Sequence, residues 1–324
     1  MKTLIIGSYG NSNVGEEAVL MAILKRFQNL SDVTVTSVKP FKTEALHGVK
    51  SLTLADTEIS GYDKVIVGGC GLFYGDCSRF SSRILEAYNL GIPVQVLNVD
   101  MGPVADSCFR EVREALRVAN EVSFRASFAQ VILEKGMGIK RDIKIEEDIS
   151  CTLNVPSCEE SLKEIYGKGP YLGLSLKNIK IYYPNLIREI KKYLLQGYTI
   201  VPILNAWSDW PERQDVIGFH RLEVLMKSRW NKWCSPILSP LATMGIIREM
   251  DLIIAHTVHT TLWGKHFGKK VISIVPQNYF HQLAFKDLGA SEFIFSTPPG
   301  YVEYNQQCVK YHGIKWKEIM EVKK

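Results

Sequence analysis

With 324 residues, 46% of them hydrophobic and 23% charged, a net charge of +5 and a pI near 8.7, the chain has the composition of a globular protein long enough for two domains. Its Lys and Arg residues are scattered and indicate no nucleic-acid footprint; the mild positive balance would suit an anionic small ligand or an acidic lipid surface, but an ordinary solvated surface is the plainer reading. No apolar run reaches the ~20 residues that span a bilayer. The opening Met-Lys-Thr-Leu-Ile-Ile-Gly lacks a signal core. A cytoplasmic protein is therefore expected, peripheral to a membrane at most. The seven cysteines (Cys70, Cys77, Cys108, Cys151, Cys158, Cys234, Cys308) form no CxxC pair and read as reduced thiols, with no metal site.

In chain order, Thr3 to Ile6 reads as a strand, Gly7 to Gly15 as a Gly- and Asn-rich loop, and Glu16 to Leu30 as a helix. This opens a Rossmann-like unit, yet it is neither GxGxxG nor a P-loop. Glu16 and Glu17 sit where an anion would want N–H groups alone. Asn11, Asn13 and Glu16, with backbone access at Gly15, suit sugar hydroxyls better; ordinary turn formation is the competing reading. Val33 to Ser37 and Ser51 to Leu54 are short strands. Lys64 to Val67 is a buried strand ending in the cluster Gly68-Gly69-Cys70-Gly71, where backbone must approach something closely. Helices follow over 81–90, 108–119 and 126–135, and strands over 93–99, 121–124 and 143–146, with Asp100 to Pro103 as a loop. Arg125 and Asp148 fall at strand ends; each is a site candidate or half of a structural salt bridge.

The same alternation restarts after a Pro- and Gly-rich break at 155–168. Tyr171 to Ser175 is a strand with Lys177 just beyond it. A helix over 184–195, a strand over 199–204, a polar aromatic loop at 205–211, a helix over 220–227 and an edge-like strand over 234–238 follow. Ser239-Pro240 then has the residues favoured at a helix start. Asp251 to Ala255 is a buried strand, and His256 to His259 is the turn beyond its carboxyl end. A helix over 260–267 leads to a strand over 270–275, a segment at 277–281, a helix to Gly289 and a terminal helix over 314–322. In open parallel sheets ligands sit beyond the carboxyl ends of strands. His256, Thr257, His259 and Thr260 crowd that place in the second half, although His259 also fits a core histidine and Thr260 a cap.

Seven segments resemble the polysaccharide pyruvyl transferase family in order and spacing, over nearly the whole chain: GSYGNSNVGEEAVL (7–20), VIVGGCGLFYG (65–75), DMGP (100–103), VSFRASFAQVILEKGM (122–137), EED (146–148), LGLSLK (172–177) and DLIIAHTVHTTLWGKHFGKKVISI (251–274). The resemblance implies an α/β fold of the GT-B type: two facing Rossmann-like domains with parallel sheets and an inter-domain cleft. Residues 1–160 would be the acceptor side and 161–324 the donor side, the helix over 314–322 packing back on the first. It implies transfer of a pyruvyl group from phosphoenolpyruvate, as co-substrate and without a further cofactor, to a saccharide hydroxyl in cell-surface polysaccharide biosynthesis. The acceptor would be a saccharide or its lipid-linked precursor. On this resemblance His259 serves catalysis; the proton transfers of ketal formation make it the candidate acid, and Glu16 the candidate base if the domains close. Asn11, Asn13, Gly15, Gly69, Gly71, Arg125, Asp148, Lys177, His256, Thr257 and Thr260 line the substrates.

The chain departs from the family pattern at several points. Glu16 replaces an Asp, Ala126 and Ala129 replace an Asp and a Ser, and Lys177 and Thr257 replace Arg. The Arg at position 257 of the pattern helps hold the anionic donor. Two other readings keep the fold: a glycosyltransferase using a nucleotide sugar, and a non-catalytic member that binds glycans or a partner enzyme.

Overall fold

The computed structural model describes residues 1–29, 32–176, 183–206, 215–226, 239–275, 285–295, 310–311 and 314–315. The chain divides into two compact units. Met1–Asn11, Gly15–Thr152 and Cys308–Lys324 form the first, and Ser12–Val14 with Leu153–Gln307 form the second.

The first unit runs β1 (Lys2–Tyr9), α1 (Val14–Arg26), β2 (Asp32–Ser37), α2 (Pro40–His47), β3 (Lys50–Leu52), β4 (Lys64–Gly75), α3 (Ser78–Asn89), β5 (Val94–Val104), α4 (Phe109–Val118), β6 (Glu121–Phe124), α5 (Ser127–Val131) and β7 (Lys144–Ile145). Its strands pair in parallel in the order β3-β2-β1-β4-β5-β6-β7, the doubly wound order with one strand added at the edge. The second unit runs α6 (Glu159–Tyr166), β8 (Tyr171–Ser175), α7 (Tyr183–Leu194), β9 (Thr199–Pro202), α8 (Asp215–Met226), α9 (Pro240–Arg248), β10 (Leu252–Ala255), α10 (Val258–His266), β11 (Lys270–Val275) and β12 (Glu292–Phe295). Its parallel sheet has the order β12-β11-β10-β8-β9. The strand order reverses between β1 and β4 in one sheet and between β8 and β10 in the other. Runs such as Leu4-Ile5-Ile6, Val65-Ile66-Val67 and Ile253-Ile254-Ala255 are fully buried, as strands covered on both faces require.

Several elements differ from the sequence expectations for identifiable reasons. β1 continues through Gly7 to Tyr9, because Tyr9 pairs with Ser37 and buries its ring. β4 does not stop at Val67. It runs through the glycine cluster to Gly75, with a register shift after Cys70, because buried Leu72 and Phe73 keep it paired along β5. Asp100 to Pro103 likewise belong to β5 rather than to a loop. α1 spans Val14–Arg26, not 16–30. α2 lies where no helix was expected, although Pro40 at its start and left-handed Gly48 at its end are ordinary signals. α6 occupies the stretch that reads as a linker, anchored by buried Leu162. Ile314–Lys315 form a strand, β14, against β13 (Lys310–Tyr311) rather than the start of a helix. The expected elements at 207–211, 234–238, 277–281 and 316–322 lie outside the described residues. Ser239 caps α9 as its sequence suggests, accepting the Ala242 N–H at 3.3 Å.

The glycines of β4 are explained by packing. Gly69 has φ +78°, and a Cβ there would lie 2.2 Å from Val19 Cγ1; at Gly68 it would lie 2.6 Å from Ile23 Cδ1. Val19 and Ile23 are one turn apart on α1, so this helix rests directly on the glycine bulge. Gly69→Ala therefore combines left-handed strain with overpacking, and we expect a loss of about 2–4 kcal/mol. A urea midpoint unchanged from the parent would contradict this packing argument.

Candidate functional site

At the carboxyl edge of the first sheet, the chain leaves β1 in a turn built on Glu17. The buried Glu17 carboxylate accepts the Gly10 N–H at 2.9 Å through Oε1 and lies 2.9 Å from His47 Nε2 through Oε2. Asn11 donates its side-chain amide to the Ser8 carbonyl, and Asn13 forms an isolated antiparallel bridge with Ala206. Val14 donates its N–H to the Asn205 carbonyl at 2.8 Å; this bond and the Asn13 bridge lie within the second unit, to which Ser12–Val14 belong. Glu16 is half-buried in the first turn of α1. The Tyr9 hydroxyl donates to the Gly68 carbonyl at 2.7 Å, and burial pushes its pKa well up, Cys70 adding to the effect. Burial also pushes the Cys70 thiol well above its ordinary value, against a smaller downward pull from Arg125. Gly71 is exposed, with open space where a side chain would stand.

Arg125 and Asp148 are brought together, as partners of each other. Arg125 donates from Nε at 2.7 Å and Nη2 at 2.6 Å to Asp100 Oδ2, and from Nη1 at 2.6 Å to Asp148 Oδ2. The other Asp148 oxygen accepts the Ser150 N–H at 2.9 Å and the Ser150 hydroxyl. Burial alone would lower the Arg125 pKa; Asp100 and Asp148 outweigh it and hold the guanidinium above its usual range. Asn98 fixes the neighbouring segment, donating to the Glu147 carbonyl at 2.9 Å and accepting the Ile149 N–H at 2.8 Å. The salt-bridge reading of Arg125 and Asp148 therefore describes their geometry. Asp100 is a member the sequence reading passed over as loop, and its Oδ1 is buried with no hydrogen-bond partner among the described residues.

The second sheet presents a neutral cluster where its strand order reverses. Asn205 Nδ2 donates to Ser175 Oγ at 2.8 Å, Thr257 Oγ1 donates to Thr260 Oγ1 at 2.7 Å, and Thr260 Oγ1 donates to Asn205 Oδ1 at 2.9 Å. Ser175 Oγ and Thr257 Oγ1 are 3.1 Å apart. A hydroxyl has one proton, and that of Thr257 is committed to Thr260, so Ser175 is the donor to Thr257. The four bonds thus close a ring that runs in one direction. All four residues are buried. Asp215 holds Asn205 from behind, accepting its N–H at 2.6 Å and that of Ala206 at 3.1 Å.

Thr257 is the residue before α10, and its side chain does not cap that helix. Its hydroxyl, like that of Thr260, faces the ring, so both candidates have their protons committed inside the protein. α10 begins at Val258, two residues earlier than expected, which puts His259 in its first turn rather than in the preceding turn. His259 is 8% exposed, with its ring centroid 5.5 Å from that of fully buried Trp263. His256 is equally buried, and its backbone N–H donates to the Ser175 carbonyl at 2.9 Å. Lys177 lies outside the described residues. Asn205 and Ser175 were missed; Asn205 opens the polar run after a buried strand, the same signal that singled out His256.

Two substitutions test these clusters. Arg125→Met leaves two buried carboxylates without their cation, and we expect a loss of about 3–5 kcal/mol at neutral pH. Carboxylates so stranded have raised folded-state pKa values, so the folded state binds the extra protons and the deficit shrinks as pH falls; a urea-unfolding deficit independent of pH would contradict this. Thr260→Val keeps the shape but strands Asn205 Oδ1 and the Thr257 hydroxyl, for an expected loss of about 1–3 kcal/mol by the same measurement.

Similar folds are found among solved structures. An Anabaena Alr3699/HepE structure in complex with UDP and glucose superposes with a TM-score of 0.60 at 14% identity, covering 85% of this chain and 80% of that one. A Methanocaldococcus jannaschii UDP-GlcNAc 2-epimerase in complex with UDP-GlcNAc and UDP gives 0.58 at 12% identity, covering 91% and 88%. The S. aureus MnaA–UDP structure gives 0.54 at 13% identity, covering 84% and 79%. These likenesses put the chain in the GT-B-like α/β class. A search of curated protein sequences finds no match. The profile of the polysaccharide pyruvyl transferase family matches residues 13–278, most of the chain and parts of both units. With its ordered motifs and its two parallel sheets, the protein belongs to the polysaccharide pyruvyl transferase family.

Proposed function

We propose that the protein transfers a pyruvyl group from phosphoenolpyruvate to a saccharide hydroxyl in the cytoplasm, as a step in making a cell-surface polysaccharide. The observation that carries this reading is the family match over residues 13–278. A saccharide oxygen attacks C2 of the donor while C3 takes a proton and becomes a methyl group. Attack by a second hydroxyl then expels phosphate, which leaves with the remaining hydroxyl proton, and closes a cyclic ketal. The chemistry asks for an acid at C3, a base at the hydroxyl and cations or N–H groups for the carboxylate and phosphate. His259, a side chain whose ordinary pKa is near neutrality, is the acid. Glu16 is the base. The start of α10, which Thr257 does not cap, offers its dipole to the donor's negative charge in place of the family Arg.

A second reading is favoured by one observation. The solved neighbours named above carry UDP or a UDP-sugar, and Thr257 supplies no charge to an anion. On that reading the donor is a nucleotide sugar and the reaction a glycosyl transfer or sugar modification.

Phosphate release on incubation with phosphoenolpyruvate and candidate saccharides separates the two. We expect release with the parent protein and at least a roughly hundredfold loss in His259→Ala, the scale of a removed general acid. A rise in melting temperature with UDP-sugars but not with phosphoenolpyruvate, and no phosphate release, would replace the first reading with the second.

A further inference from the structure

β4 buries Leu72 and Phe73 and then turns Tyr74 outward, 50% exposed at the carboxyl end of the strand. The ring rests against the neighbouring strand. A Cβ built on Gly102 would fall 2.1 Å from Tyr74 Cδ2 and 2.6 Å from its Cε2, so the ring fills the space that a side chain at 102 would take. Phe73 pairs with Met101 and Gly75 with Val104, which fixes the backbone of this seat on both sides. An aromatic ring laid on bare backbone and otherwise open to solvent buries little for its size, and it presents a flat apolar surface with one polar tip.

The seat lies on the edge of the first sheet where ligands gather in folds of this type. Gly71, three residues earlier on β4, is exposed, and nothing lies within 4 Å of where a side chain would stand, so approach from that side is open. The charged residues of the two strand ends, over 71–77 and 99–108, are Asp76, Asp100 and Asp106, all acids. Arg125, which reaches Asp100 from β6, is shared with Asp148. Asp100 stands two residues before Gly102, and its buried Oδ1 has no hydrogen-bond donor among the described residues. A buried acceptor left in this way costs about 1–3 kcal/mol until a donor reaches it. The ligand chemistry that fits is therefore a flat apolar patch joined to several neutral O–H donors. A pyranose has both, in its C–H face and its hydroxyls.

We propose that Tyr74 is the stacking platform for the saccharide acceptor: the C–H face of one pyranose ring lies on the Tyr74 ring, and its hydroxyls turn toward the acids that border it. That the ligand is an acceptor rests on the transferase reading above, but its binding to Tyr74 is read without any donor.

The test is saturation-transfer NMR of the full chain with the methyl glycosides of glucose, galactose, mannose and N-acetylglucosamine, titrated one at a time. We expect at least one to bind, with the strongest transfer to its ring C–H protons. Tyr74→Ala should weaken that binding about tenfold, the scale of one stacked aromatic contact, and Tyr74→Phe should stay within about twofold of the parent because the ring does the holding. Gly102→Ala leaves Tyr74 in the chain but pushes its ring off the seat, and should weaken binding by a similar factor, with far-ultraviolet circular dichroism unchanged in all three variants. No binding of any glycoside, or Tyr74→Ala or Gly102→Ala binding like the parent, would overturn the proposal. So would tetramethylammonium chloride binding in place of the glycosides and being lost in Tyr74→Ala, which would make the ring a cation site. A parent that binds glycosides through Tyr74 yet releases no phosphate from phosphoenolpyruvate keeps the platform and removes the transferase reading alone.

Discussion

Four side chains at the reversal point of the second sheet, Ser175, Asn205, Thr257 and Thr260, satisfy one another in a closed ring of hydrogen bonds. They come from the end of β8, from the residues after β9 and β10 and from the first turn of α10, so the ring ties these segments together. A neutral hydrogen bond contributes only about 1 kcal/mol net, but a buried group left without a partner costs about 1–3 kcal/mol. The ring is therefore held less by the gain from each bond than by the penalty for opening it. It also accounts for a buried Thr at position 257: its hydroxyl both accepts and donates within the ring.

The first sheet solves the corresponding problem with charge. Arg125 at the end of β6 sits between Asp100 and Asp148, and Ser150 accounts for the second oxygen of Asp148. Buried ions are tolerated only when paired and hydrogen-bonded; these three carry a net negative charge, and one Asp100 oxygen has no donor among the described residues. The two units thus present different electrostatics at equivalent edges, neutral hydroxyls in one and a compensated ion cluster in the other.

Close contact between α1 and β4 links packing to this chemistry. The glycine bulge that admits Val19 and Ile23 also sets Cys70 at φ +66° in the buried layer beneath the sheet edge, where the thiol stays protonated and acts as a small filler. The base of the turn after β1 is fixed by Glu17 and His47, so the polar side of α2 is drawn inward and its apolar side is left facing out.

The apolar runs by themselves determined most of the strands: Tyr171–Ser175 and Lys270–Val275 fall where the sequence puts them, because a strand buried on both faces is largely hydrophobic along its length. The Ser239-Pro240 start and the family motifs were legible for the same local reason. α2 was not, because its burial pattern is inverted and hydrophobic periodicity points the wrong way. The glycines of β4 read as loop because a bulge and a turn use the same residue. The partners at the strand ends were decided only in three dimensions. Asp100 and Arg125 are 25 residues apart, and Asn205 and Thr260 are 55 apart. Polar side chains at buried strand ends must find partners, but which ones they find depends on sheet order, and sheet order is a property of the folded chain.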